Sequence, residues 1–151
     1  MERPVITLAT SEERDWAADL MVRSEPWITL GVSPEQSRLA CRSPEHLVYV
    51  AHLEGEPCGA AVLQRSGVAG SPYIKSIIVA DPFRGRGIGA DLMEFAEDLF
   101  RREARHIFLC VSSFNTRARA FYERLGFCAV GEFQDYIIEG ASEILMHKRL
   151  R

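Results

Sequence analysis

The stretch Arg84–Gly89, RGRGIG, places three glycines and two arginines within six residues, just before a run of helix formers, ADLMEFAEDL. Residues of these types at this spacing can hold a phosphate. Glycine adopts backbone turns closed to other residues and lets an anion approach the chain closely. The first N–H groups of a helix have no partner inside it, and the aligned peptide dipoles add partial positive charge there. Arg84 and Arg86 would add cationic charge nearby. The loop Arg84, Gly85, Arg86, Gly87, Ile88, Gly89 and Ala90 is therefore a candidate pyrophosphate cradle.

Two familiar pyrophosphate motifs fit poorly. Gly85, Gly87 and Ala90 formally match the G-x-G-x-x-G/A dinucleotide fingerprint, but DPFR separates the preceding apolar run from the first glycine, and the loop lies past the middle of the chain. That motif also calls for an acidic residue about 20 positions on to hold a ribose, and HIFLCV offers none. The nucleotide P-loop fails because no Gly-Lys-Ser/Thr follows.

The elements that must position this loop follow from periodicity. VITLAT reads as a short strand. Thr10 and Glu13 form a capping box, and Trp16, Ala17, Leu20 and Met21 then share one helical face. Ser33, Pro34 and Gln36 mark a second helix start in the same way. HLVYVAHLEGEPCGAAVLQ reads as a hairpin turning near Glu54 to Pro57, and YIKSIIVA as another strand. The helix after the loop extends to about Arg102, with Leu92, Phe95, Ala96 and Leu99 on its apolar face. HIFLCV predicts a strand buried on both faces. A helix from Asn115 to Leu125, ended by Gly126, carries Ala118, Phe121, Tyr122 and Leu125 on one side. Two strands, Phe127–Tyr136 and Glu143–Lys148, close the chain. The sum is an α/β domain, mostly antiparallel, with a strand–helix–strand crossover in its middle.

At 151 residues the chain is long enough for one domain with a real core. A net charge of −3 gives no reason to expect nucleic acid, and no apolar run nears the roughly 20 residues of a membrane span. MERPVITLAT holds no apolar signal core, so a cytoplasmic location is expected. Cys41, Cys58, Cys110 and Cys128 form no Cys-x-x-Cys pair and have no metal-ligand spacing with the four histidines. They are expected to be small buried thiols in a reducing compartment, and no metal is expected.

A closer match spans the second half of the chain. VADPFRGRGIGADLM, followed by NTRARAFYERLGF, resembles the GNAT superfamily of acetyl-CoA-dependent N-acetyltransferases. That family's diphosphate loop is Q/R-x-x-G-x-G/A, here Arg84, Gly87 and Gly89. Its second signature is N-x-x-A-x-x-F/Y-Y-x-x-x-G-F, here Asn115, Ala118, Phe121, Tyr122, Gly126 and Phe127. The resemblance is tight over residues 73–130. It implies a single GNAT domain over residues 1–151, a mixed and mostly antiparallel sheet with helices on both faces. It also implies acetyl-CoA as co-substrate and an amine as acceptor. By the same resemblance the backbone of Ile77, Ile78 and Val79 pairs with the pantetheine arm, the loop Arg84–Ala90 holds the diphosphate, Asn115 reaches the cofactor, and Tyr122 protonates the departing thiolate. Members of this family often dimerise through their terminal strands.

The base that deprotonates the amine is left open. Many relatives carry Glu early in the strand before the loop, where this chain has Tyr73 and then Lys75; residues 73, 75, 77 and 79 are expected to share one strand face. Others place Glu or His in the next strand, where Cys110 stands. Tyr73 acting through ordered water, Glu25 in SEPWITLG, and an acceptor that arrives neutral all satisfy the chemistry. The tail FQDYIIEGASEILM reads as a hairpin with its turn at Glu139–Ser142. It is similar to the tail of the ribosomal-protein and protein N-terminal acetyltransferases, with Tyr136 before the turn and Glu143 opening the last strand. On that likeness Glu25, Trp27 and Tyr136 would wall an acceptor groove, one carboxylate and two aromatic faces suited to an ammonium group. The expected activity is acetyl transfer from acetyl-CoA to a primary amine, on a small molecule or a peptide N-terminus, in a ternary complex. The rival from another class is a CoA-binding sensor or scaffold without catalysis, prompted by the missing strand Glu.

Overall fold

Both capping boxes form in the computed structural model, which describes residues 2–151. Strand β1 (Val5–Leu8) leads into α1 (Ser11–Val22), where the Glu13 N–H donates to Thr10 Oγ1 at 3.2 Å and the Thr10 N–H donates to Glu13 Oε1 at 3.0 Å. A short helix not anticipated from the sequence, α2 (Trp27–Leu30), occupies the SEPWITLG segment. The same Ser–Gln box starts α3 (Pro34–Arg42). The hairpin pairs β2 (Leu47–Leu53) with β3 (Glu56–Gln64) through Glu54 and Gly55, both at positive φ, the geometry that matches strand twist in a two-residue turn. Then come β4 (Tyr73–Val79), α4 (Ile88–Phe100), β5 (His106–Ser112), α5 (Thr116–Arg124), β6 (Cys128–Phe133) and β7 (Glu143–Arg149).

The seven strands form one sheet in the order β1-β2-β3-β4-β5-β7-β6, and β4–β5 is the parallel pair. Helices cover both faces. α1 and α3 lie over Val48, Val50, Ala60, Val62 and Ile78; α4 and α5 lie over a larger cluster that includes Leu63, Ile74, Ile107, Leu109 and Met146. The expected α/β fold, mostly antiparallel with helices on both faces, is the one observed.

Details of the faces differ from the sequence reading. In α1 the fully buried set is Ala17, Ala18, Leu20 and Met21, with Trp16 only packed at the edge; small alanines let α1 seat against the sheet. In α4 the buried stripe is Ile88, Leu92, Met93, Ala96 and Phe100, while Phe95 sits at the margin against the Tyr49 ring. β5 is not buried on both faces: Ile107, Leu109 and Val111 enter the core, whereas His106, Phe108 and Cys110 are only half covered, since α1 and α3 lie over β2, β3 and β4 and stop short of it. Of the four thiols, all free, Cys41 and Cys58 are buried, Cys110 is half-buried and Cys128 is exposed on the edge strand β6. The last connection is also longer than a tight hairpin turn. β6 ends at Phe133, so Tyr136 lies on the loop before β7 and not on a strand.

The centre of the sheet is open. β4 and β5 are paired at Tyr73–Phe108 and Ile74–Leu109 and nowhere beyond. At that point β4 carries a bulge: Leu63 faces Ile74 and Val62 faces Ser76, so Lys75 is the extra residue. A bulge bends and twists its strand and inverts the alternation beyond it. Tyr73 accordingly does not share a face with Ile77 and Val79, contrary to the simple alternation. Ile77 and Val79 point toward α4 and α5, and Tyr73 points to the opposite face.

One glycine sets how closely α4 approaches this opening. A Cβ on Gly59 would lie 2.9 Å from the Ile78 carbonyl oxygen, 3.2 Å from Leu92 and 3.3 Å from Ile88. Overpacking at such a site costs about 1–3 kcal/mol. Gly59→Val is expected to lower stability by that amount in urea unfolding; an unchanged midpoint would mean that α4 is free to move away.

Candidate active site

Where β4 and β5 part, a cleft of about 910 Å³ runs between them from α2 to α5. At its α4 end the chain leaves Val79, makes a turn at Asp81–Phe83, and enters the glycine loop. Gly85 and Gly87 have φ of 78° and 82°, a region that L side chains rarely adopt. Gly87 is the N-cap of α4 and offers no side-chain cap, and the first intrahelical bond runs from the Asp91 N–H to the Gly87 carbonyl at 3.0 Å. The N–H groups of Ile88, Gly89 and Ala90 therefore have no helical acceptor. Arg84 lines the cleft and is held by the Val79 carbonyl at 3.2 Å and by Asp81 at 3.1 Å. Arg86 is turned away, its guanidinium 5.4 Å from the centre of the Phe83 ring, and is not part of the lining.

The middle of the cleft is walled by Ile77, Ile78 and Val79 on one side and α5 on the other. Asn115 is the N-cap of α5: its Oδ1 accepts the Ala118 N–H at 3.2 Å, which leaves the amide N–H groups for the cleft. Tyr122 packs its ring beside Phe121 and Phe127, at 5.3 and 6.2 Å between centroids, and also lines the cleft. Burial pushes its phenol up to about 12, so it stays protonated at neutral pH.

At the far end the cleft is bounded by α2 and by the loop before β7. Glu25, Trp27, Tyr73 and Tyr136 all line it, together with Lys75, Cys110, Ser112 and Glu143. Both Glu25 oxygens are occupied: the Thr29 N–H donates to Oε1 at 2.9 Å and the Thr29 hydroxyl to Oε2 at 2.7 Å. These bonds hold the carboxyl below its usual range. Tyr136 is exposed and stacks on Phe133 at 5.3 Å. Tyr73 is pushed well above the usual phenol range by burial and by the Cys110 thiol that it faces, so it is a hydrogen-bonding phenol and not a phenolate. Glu143 is buried, and burial raises its carboxyl above the usual range while the Ser112 hydroxyl, donating to Oε2 at 2.5 Å, opposes that rise.

All the residues read from the sequence as site residues thus meet in one cleft, Arg86 excepted. The cleft adds Lys75, Cys110, Ser112, Arg117, Arg124 and Glu143. Glu143 was visible as the acidic start of the last strand; its closeness to Ser112 was not, because the antiparallel register of β5 and β7 sets it. Among the described residues no group of three His, Cys, Asp or Glu side chains could hold a metal ion, and no helix is long and apolar enough to cross a membrane.

The frame is a splayed parallel pair with a glycine loop at the end of its first strand, and comparison with known proteins gives the family. The model of the acetyltransferase (GNAT) family matches residues 9–127, and the chain belongs to that family. It is 36% identical over 85 residues to 5-NmdU N-acetyltransferase of Pseudomonas phage PaMx11, covering 56% of this chain and 59% of that protein. It is 35% identical over 69 residues to N-alpha-acetyltransferase 30 of Schizosaccharomyces pombe, covering 45% and 46%. The chain spans about half the length of the curated relatives it matches. The ribosomal-protein-S18-alanine N-acetyltransferase from Escherichia coli shares the fold, with a TM-score of 0.81 at 20% identity over 97% of this chain and 94% of that one.

The Asn115 cap is open to a direct check. Losing an N-cap side chain costs about 1 kcal/mol. Asn115→Ala is expected to destabilise the fold by that amount in urea unfolding, and Asn115→Asp, which keeps the acceptor oxygen, to recover most of it.

Proposed function

We propose that this chain is a single-domain N-acetyltransferase of the cytoplasm that moves an acetyl group from acetyl-CoA to a primary amine by direct attack in a ternary complex. The observation that carries this reading is the open edge of β4: from Lys75 to Val79 it has no strand partner on the β5 side, and it runs straight into the Gly85–Gly87 turn and the unpaired N–H groups of α4. An extended amide-bearing arm that ends in a diphosphate matches both halves of that feature. Ile77, Ile78 and Val79 would offer backbone hydrogen bonds to the pantetheine, Arg84 to Ala90 would hold the diphosphate, and the amide N–H of Asn115 would reach the same arm. Bound acetyl-CoA supplies an activated acyl carbon and a thiolate leaving group.

The protein's own contribution is placement and proton transfer. The protonated Tyr122 phenol, on α5 beside the gap, would give its proton to the thiolate as the carbon–sulfur bond breaks. Trp27 and Tyr136, across the cleft at its other end, would give the acceptor two aromatic walls suited to an ammonium group. Glu25, bound by Thr29, would shape that wall by capping α2. The acceptor is a primary amine, carried by a small molecule or a peptide N-terminus.

A thermal-shift panel of acetyl-CoA, CoA and NAD, joined to an acceptor screen read by thiol release, tests the reading. Stabilisation by acetyl-CoA and CoA, with thiol release from at least one amine, is expected. Stabilisation by NAD alone would overturn it, and binding of CoA without transfer to any amine would favour a sensor or scaffold. Gly87→Val forces a β-branched residue to a φ of 82° and is expected to weaken acetyl-CoA binding by roughly tenfold or more in calorimetry, with circular dichroism unchanged. Tyr122→Phe is expected to lower kcat by roughly 10²–10⁴-fold while leaving acetyl-CoA affinity in place. A phenylalanine variant with wild-type kcat would exclude Tyr122 as the acid.

A further inference from the structure

The cleft contains a carboxylate with no counter-ion. Glu143 opens β7 at the point where the sheet has split, directly opposite Ser112 of β5. Its residue exposure is only 8%, yet it lines the cleft. Oε2 accepts the Ser112 hydroxyl, and Oε1 is left to the cleft. Among the described residues no Lys, Arg or His lies within ion-pair distance of it, although other buried or half-buried acids in this protein are paired, Glu97 with Lys148 and Glu13 with His52. The titratable groups close to it on neighbouring strands are Tyr73 of β4 and Cys110 of β5, neither of them a cation; Lys75 of β4 and Tyr136 of the loop before β7 line the same cleft and are exposed. A buried carboxylate without a partner is costly unless a cation arrives or the group takes up a proton.

We propose that the Glu143 carboxylate receives both, binding the acceptor's ammonium group and taking one proton from it. This inference rests on the acetyltransferase reading and deepens it. The geometry favours Glu143 over the two candidates suggested by the sequence. Glu25 has both oxygens tied to Thr29, and Tyr73 is a half-buried phenol that keeps its proton. Ile144 and Met146 point into the core under α4 and α5, so Glu143 points to the other face of the sheet. Tyr122 lies on the α4 and α5 face. Proposed base and proposed acid therefore reach the gap from opposite faces.

R–NH₃⁺ gives one proton to Glu143, leaving R–NH₂ and a neutral carboxylic acid. The nitrogen lone pair forms a bond to the thioester carbon, and the C–S bond breaks with its electron pair leaving on sulfur. The thiolate takes the Tyr122 proton, the second nitrogen proton returns to the tyrosinate, and Glu143 releases its proton to water. The products are the amide, CoASH and one proton.

The test uses the full chain with acetyl-CoA and a mixture of short peptides with free N-termini and small primary amines, following thiol release across pH, with acetyl-CoA binding and thermal stability measured in parallel. For the wild type, kcat/KM is expected to fall with acid as Glu143 protonates, at a pH above the ordinary carboxylate range. Glu143→Gln is expected to lose roughly 10²-fold in kcat/KM at neutral pH and to recover as pH nears the amine's own pKa, where solvent removes the proton. Acetyl-CoA affinity is expected to be unchanged. The melting temperature at neutral pH is expected to be no lower than wild type: burial disfavours the charged form, so the native carboxylate loses stability as pH rises through its folded pKa, and glutamine removes that penalty while still accepting from Ser112. A Gln variant with wild-type kcat/KM, or one whose deficit is the same at every pH, would overturn the role of Glu143 and leave the acetyltransferase reading standing. A wild-type protein that binds acetyl-CoA and releases no thiol with any amine would overturn both.

Discussion

Ile74 and Leu109 are the last residues at which the two central strands are joined, and the rest of the molecule is arranged around what happens next. Past that pair the facing edges of β4 and β5 carry backbone donors and acceptors with no strand to meet them. Such groups cannot be left dry without a cost comparable to a lost hydrogen bond each. The split is tolerable because it opens into a cleft where water, or an extended ligand, can satisfy them. The bulge at Lys75 falls at the point of separation and supplies the local twist that turns β4 away. Gly59, one strand further in, lets α4 sit directly on β3 and so fixes the helix start at the end of the open edge.

Once the sheet is split, its two faces serve different ends. The face under α4 and α5 presents Ile77, Val79 and Tyr122 toward the gap within a large apolar cluster. The opposite face, only partly covered by α1 and α3, presents Tyr73, Cys110, Ser112 and Glu143. An apolar, tightly packed wall suits a ligand held by backbone contacts, and a half-covered polar wall suits a polar ligand that must enter and leave. The two carboxylates at the α2 end of the cleft illustrate how environment separates groups of one chemical kind. Glu25 is exposed, receives two hydrogen bonds from Thr29 and is a weak base; Glu143 is buried, receives one from Ser112 and is a stronger one.

Much of this was legible in the sequence because it is local. The capping boxes, the Glu54–Gly55 turn, the positive-φ glycines of the loop and the α5 signature each depend on a handful of neighbouring residues, and backbone sterics and hydrogen bonding leave them few alternatives. The family resemblance rests on the same two local stretches, which is why it could be read before any fold was drawn, and it carried Arg84, Asn115, Tyr122 and their neighbours to one cleft. The alternation of apolar residues likewise predicted the strands, though it misplaced Tyr73 relative to Ile77, since a single bulge inverts the faces and leaves no trace in composition.

What only the tertiary structure decided is which distant residues meet and what each meeting does to charge. The two Thr29 bonds to the Glu25 carboxylate and the seat of Arg86 on the Phe83 ring, outside the cleft lining, come from packing. Glu143 could be seen as an acid at the head of a strand, but its burial, its bond to Ser112 and its lack of a counter-ion come from the β5–β7 register and the gap beside it. Basicity depends on solvation and on partners far apart in the chain. Those are fixed by packing, and no local pattern of residues encodes them.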